Sequence, residues 1–308
     1  MPDSSTGPDS LNSTVGPQSE LSSATPRASA GLISSHSCKA CGSPDTHDDV
    51  IQTNPFVYAI GRLEPRFPTV GVEKELAQLI GKAGTANLTD REAIHSILSR
   101  PDAFYLARQL CWILSIESTD AYVIVPRDSE DIRILLGALR PTPRVGDIDV
   151  VVGWLGPLSD GRICNGIRLP TANLGQLYSF DVAQLAKHMS KPKDCSAEAF
   201  ASTVEEVFQR AGQVTDNMGI RDEHRAVNYL VTRDELLYGE VAKQYAKNSS
   251  LVAVRANVSP LSGSRKVIEV VLEFRDRETD VTEKRFANVD ISDVFPFRMS
   301  KWSPYTDR

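Results

Sequence analysis

Cys38 and Cys41, in the run His36-Ser37-Cys38-Lys39-Ala40-Cys41-Gly42, have the spacing in this chain that is best suited to chemistry. A Cys-x-x-Cys-Gly turn brings two thiolates onto one ion, and the glycine lets the backbone curl so that its N–H groups point at the sulfurs. Zinc in a structural role is the expected occupant. A closed zinc site takes four donors, so others must come from elsewhere in the chain. Cys164, in the tight Ile163-Cys164-Asn165-Gly166 turn, is the first candidate, followed by Cys111 and then by His36 or His47. Two alternatives stay open: a redox pair, disfavoured because thioredoxin-like sites lie between a strand and a helix, and two idle thiols.

A second group gathers at Asp222, Glu223, His224 and Arg225, with Asn228 four positions beyond His224 on the same helical face. A histidine beside carboxylates can serve as a general base. The competing assignment is structural and is favoured: acids at a helix start offset its dipole, and the histidine packs or caps. Arg62, Glu64 and Arg66 alternate at the end of the first strand, and Arg265 and Lys266 lie in a late turn. Solvated ion pairs are favoured at these basic positions over a surface for an acidic leader peptide. Trp302 and Tyr305 read as a strap tying the C-terminus over the core. The sequence has no Gly-x-Ser-x-Gly elbow, Walker-type phosphate loop, His-Glu-x-x-His zinc motif or Gly-x-Gly-x-x-Gly after a strand. That counts against the common hydrolase, ATPase and dehydrogenase classes, and a non-catalytic role is the expectation.

These residues need a scaffold, and the last fifth of the chain supplies its clearest part. Val252, Val254, Ala256 and Val258 alternate with Ala253, Arg255 and Asn257. The period-2 pattern returns over residues 266–274 after a Pro260-Leu261-Ser262-Gly263-Ser264 turn, giving a β-meander. Upstream, Phe56 to Phe67 alternates as a strand, and Val72, Leu76, Leu79 and Ile80 recur at helical spacing. Thr89-Asp90-Arg91-Glu92 is a capping box for a second helix, and a third is expected from Pro101 through Phe104, Ala107, Leu110 and Cys111. On that helix Cys111 is either a buried hydrophobe or a ligand. A hairpin over Trp112–Ile116 and Ala121–Val125 precedes a helix capped by Asp128 or Ser129. A strand over Ile148–Leu155 should stop at Gly156-Pro157, with further β pattern at 166–169 and 174–180. Asp181 caps a short helix, Cys195 is an exposed loop thiol, and residues 196–249 hold at least three helical pieces. The expected class is α+β: antiparallel sheets packed with helices, one compact domain over 36–308 after a disordered leader over 1–35.

Composition narrows the partners. A net charge of −6 over 308 residues argues against nucleic acid, and no apolar run approaches the roughly 18 residues that span a bilayer. No secretory signal pattern opens the chain, and five cysteines are an odd number. Both point to reduced thiols or metal ligands in the cytoplasm.

Several runs carry a resemblance. Residues 222–230 (DEHRAVNYL), 258–266 (VSPLSGSRK) and 301–308 (KWSPYTDR) resemble the C-terminal domain of unknown function of the cyanobactin maturation proteases PatA and PatG. Residues 56–68 (FVYAIGRLEPRFP) and 107–114 (ARQLCWIL) are similar to it as well, so the likeness runs from about Cys38 onward. Nothing corresponds to the subtilisin-like protease domain, so proteolysis is not implied. The resemblance implies an accessory or scaffold domain in ribosomal peptide natural-product maturation, binding a peptide or protein partner; a homodimer is a further expectation. The alternative is an enzyme using a zinc or Glu/His site, with His224 or Glu223 in the chemistry.

Overall fold

Strand β1 (Phe56–Arg66) changes partners half-way along its length. Phe56 to Gly61 pairs antiparallel with β4 (Asp147–Leu158), and Arg62 to Arg66 pairs antiparallel with β2 (Cys111–Ile116). The crossover is tight, because a Cβ on Gly61 would lie 2.3 Å from the Ser115 carbonyl oxygen. Where the β4 ladder ends, a buried carboxylate takes its place: Asp149 accepts from the Leu63 N–H at 2.8 Å and from the Ser179 hydroxyl at 2.6 Å, and lies 3.3 Å from Arg140. The computed structural model describes residues 56–83, 88–162, 164–193, 195–212 and 216–306. The leader over 1–35 and residues Cys38 and Cys41 lie outside these.

A hairpin joins β2 to β3 (Thr119–Val125) through Glu117 and Ser118, both at positive φ (49° and 66°), as a two-residue turn matched to strand twist requires. β3 then pairs parallel with β5 (Pro170–Asp181), which returns antiparallel to β4, closing a barrel in the order β1-β2-β3-β5-β4. Val57, Ala59, Leu63, Trp112, Leu114, Tyr122, Ile124, Val151 and Leu174 form one buried cluster. Four helices add to the same cluster: α1 (Val70–Lys82) through Leu76, α2 (Asp90–Leu98) through Ile97 and Leu98, α3 (Phe104–Ala107) through Leu106, and α4 (Ser129–Ala138) through Leu135. The capping box is present, with the Thr89 N–H donating to Glu92 at 2.8 Å and the Glu92 N–H donating back to the Thr89 hydroxyl at 3.3 Å. Asp128 caps α4.

The second layer follows in sequence. Helices α5 (Val182–His188), α6 (Ala197–Gly212), α7 (Asp222–Arg233) and α8 (Glu235–Tyr245) cover one face of an antiparallel sheet. That sheet is β6 (Ser249–Val258), β7 (Val267–Asp276) and β8 (Thr282–Asp290), with the short β9 (Phe297–Arg298) and β10 (Ser303–Pro304) both pairing with β8. Leu251, Ile268, Val270, Leu272, Phe274 and Val289 meet Phe200, Val204, Val207, Leu230 and Val241. The meander is as expected, except that Val258 runs past the helical cover and is exposed.

The α+β class holds, with one parallel strand pair, β3 to β5. Three local expectations change. The third helix is only Phe104–Ala107, and Cys111 opens β2 instead of closing a helix. β4 runs through Gly156-Pro157, because the ladder shifts register between Leu155 and Leu158. A Cβ at Gly156 would lie 2.2 Å from the Thr171 hydroxyl oxygen, and the Pro157 carbonyl accepts from that hydroxyl at 2.9 Å, so the pair accommodates the irregularity rather than ending the strand. Residues 166–169 form a turn and connection rather than a strand.

Candidate functional site

Cys111 and Cys164 come together, but on each other. They form a disulfide across 53 residues with a Cα separation of 5.8 Å, packed with Ile113 and Val123 on the β2–β3 hairpin. The loop that carries Cys164 is held over these strands: the Ser159 hydroxyl donates to the Ile167 carbonyl at 3.0 Å and accepts from the Leu169 N–H at 3.1 Å. The expectation that Cys111 and Cys164 are reduced thiols completing a zinc site is corrected, since a sulfur in a disulfide is not a thiolate donor. The reason is the strand position of Cys111, which points at the turn that follows β4. Cys38, Cys41, His36 and His47 lie outside the described residues. Among the described residues no group of three or more His, Cys, Asp or Glu is placed to hold a metal ion. Cys195 is a free, partly exposed thiol.

The Asp222-Glu223-His224-Arg225 group opens α7, and its members point to different partners. His224 is 2% exposed, and its Nδ1 has no hydrogen-bond partner. Burial holds its pKa below the ordinary imidazole value, with Arg221 acting in the same direction. Glu223 pairs with Arg221 at 3.5 Å and Asp222 with Lys266 at 3.4 Å. Arg225 is fully buried and donates to the carbonyls of Ile291 (2.8 Å) and Asp293, with its guanidinium 4.9 Å from the Phe56 ring centroid. Burial pushes its pKa down to about 10, so it stays cationic at neutral pH.

Further along α7, Asn228 donates to the Tyr58 carbonyl at 2.7 Å and exchanges hydrogen bonds with Asn217. Thr232 bonds the Tyr58 hydroxyl at 2.7 Å. The segment before the helix joins in, because the Tyr58 N–H donates to the Gly219 carbonyl at 2.8 Å. Gly219 has φ +73°, and a Cβ there would lie 2.3 Å from the Tyr58 carbonyl oxygen. Helix α7 is therefore a joint between the barrel strand β1 and the C-terminal sheet.

The alternating charges of β1 line a cleft of about 550 Å³ with Glu117, Asp120 and Asp147. Arg66 pairs with Glu64 at 3.4 Å and Asp120 at 3.5 Å, and Arg62 donates to the Val145 carbonyl. Arg66 is ion-paired, as expected, whereas Arg62 is engaged by a backbone carbonyl. The strap is present too: the Trp302 indole donates to Asp234 at 3.2 Å, and the Tyr305 N–H donates to the Lys284 carbonyl at 2.9 Å.

Two of the buried acids that escaped the sequence, Asp149 and Asp234, tie separate elements together. Asp149 was hidden in an apolar strand, although Asp147-Ile148-Asp149 places acids at alternate positions where a buried strand offers them no water. Asp234 caps α8 through the Leu237 N–H (3.1 Å) and also holds Arg298 at 2.9 Å.

Residues 194–305, from the start of α6 to the strap, match the family model described as PatG C-terminal. A solved structure titled "PatG Domain of Unknown Function" superposes with a TM-score of 0.65 at 19% identity, covering 82% of this chain and 99% of that chain. Residues 194–305 are similar to the PatG C-terminal family. The structural likeness establishes the fold and extends it over the barrel, which the family model does not reach. No curated protein matches the sequence. Among the described residues, no helix is long and apolar enough to cross a membrane.

Proposed function

We propose that this chain is an accessory or scaffold domain, without chemistry of its own, that holds a peptide or protein partner in ribosomal peptide natural-product maturation. The observation that carries the proposal is helix α7. Its histidine is buried, and the polar side chains that a catalytic reading would need are engaged in tying two layers together. A general base must reach a proton on a bound substrate, and His224 at 2% exposure faces none. Titration calorimetry of the full chain against synthetic leader peptides of ribosomally made precursors tests the proposal. Saturable binding is the expected result, and heat no greater than that of dilution for every peptide would overturn it.

A zinc ion on Cys38 and Cys41 belongs to the same proposal as a stabiliser. With Cys111 and Cys164 bonded to each other, its remaining donors come from elsewhere in the chain. Zinc content measured before and after Cys38→Ser and Cys41→Ser substitution is expected to fall with the thiols. Equal, metal-free preparations of equal stability would remove the ion from the account.

A further inference from the structure

The sheet face turned away from the helices carries a cleft of about 720 Å³, bounded by Pro260 and Leu261 of the β6–β7 turn and by Pro304 and Tyr305 of the strap. Its floor is a directly opposed pair on neighbouring strands, Glu269 of β7 and Asn288 of β8. Residues directly opposite in an antiparallel pair project from the same face. Asn288 is 6% exposed, and its Oδ1 has no hydrogen-bond partner. Its backbone is fixed on both sides, with its N–H donating to the Ser300 hydroxyl at 2.9 Å and its carbonyl accepting from the Met299 N–H at 2.8 Å. A buried amide oxygen left without a donor costs stability unless a ligand or water supplies one.

The charges on this face select the kind of donor. Glu273 is paired with Arg255 at 2.9 Å and with Lys284 at 3.9 Å, and Asp290 is paired with Arg265 at 3.4 Å. Glu269 has no ion pair among the described residues, and among these it is the only charged residue lining the cleft. Phe286 and Tyr305 close one side as an edge-to-face pair, with ring centroids 5.6 Å apart. A carboxylate, an unpaired amide oxygen and aromatic rings together make a receptor for a donor-rich cation. A guanidinium fits this set better than an ammonium, because it is planar, weakly hydrated, stacks on rings and offers several N–H groups in fixed directions.

We propose that this cleft binds an arginine side chain of the peptide or protein partner, with the guanidinium between Glu269 and Asn288 and against the Phe286–Tyr305 rings. The proposal deepens the partner-binding reading above and rests on it.

The test uses the full chain and three capped tripeptides, identical except for a central arginine, citrulline or lysine, titrated by calorimetry alongside the leader peptides. Arginine is expected to bind at least about tenfold more tightly than citrulline, with lysine between them. Glu269→Gln is expected to remove most of that difference, with an unchanged circular dichroism spectrum and melting temperature. Asn288→Asp, which keeps the shape and adds an acceptor, is expected to tighten arginine binding. Equal affinity for arginine and citrulline, or arginine binding that survives Glu269→Gln unchanged, overturns the cleft assignment. Leader peptides that still bind in either case leave the scaffold reading standing, and a chain that binds no peptide at all overturns both.

Discussion

In the barrel, the side chains that fix the architecture are mostly apolar: Val57, Ala59, Leu114, Val151 and Leu174 fill one cluster, and a single disulfide pins the loop after β4. In the C-terminal layer the sheet and helices also bury an apolar cluster, but their attachment to β1 depends on individual polar atoms of Arg225, Asn228 and Thr232. Many combinations of hydrophobic residues of the right volume satisfy the first demand. Few satisfy the second, because a buried donor needs its acceptor at one place and in one direction. The match to the PatG C-terminal family model covers residues 194–305, and the structural likeness covers 82% of the chain.

The largest effect should come from the polar joint. Arg225→Met leaves the buried Ile291 carbonyl without its donor and removes the part-buried bond to the Asp293 carbonyl, and is expected to cost about 2–4 kcal/mol in urea unfolding. A loss below about 1 kcal/mol would show that water takes over both acceptors. Next comes the barrel's covalent tie: replacing Cys111 and Cys164 together with alanine is expected to cost about 2–4 kcal/mol, with the C-terminal layer keeping its spectroscopic signature. Leu114→Met, a volume-conserving change in the apolar cluster, is expected to cost less than about 1.5 kcal/mol, which sharpens the contrast with Arg225.

The smallest effect is on pH dependence. His224 has its pKa lowered in the folded chain, while an unfolded histidine titrates near about 6.5. Below that pH the unfolded chain gains a proton that the folded side chain resists, so stability falls as pH drops through this window, toward the lower folded pKa. His224→Gln is expected to flatten that part of the stability profile measured by chemical denaturation. An unchanged slope would mean that His224 reaches solvent.

Local signals in the sequence were legible where they were short-range. The capping box at Thr89, the Asp128 cap, the hairpin at Glu117-Ser118 and the alternation of β7 each depend on neighbouring residues, and each is present. The barrel was not legible, because its closure depends on β1 changing partners at Gly61 and on a parallel β3–β5 pairing between segments far apart in sequence. The same limit applied to the cysteines. Cys111 looked helical because Phe104, Ala107, Leu110 and Cys111 share a 3.6-residue period, and only the strand that begins there turns its sulfur toward Cys164. In the DEHRAVN run the polar residues were visible, but their acceptors, Tyr58, Ile291 and Asp293, were not. The cleft at Glu269 and Asn288 was invisible for a similar reason, since cross-strand register places them together.

The joint itself is tested most directly by a double-mutant cycle across it, using Tyr58→Phe and Thr232→Val, whose hydroxyls meet at 2.7 Å between β1 and α7. The expected result is a coupling of about 1 kcal/mol between the two substitutions in equilibrium unfolding. Strictly additive effects, within about 0.3 kcal/mol, would contradict a joint made by specific polar contacts.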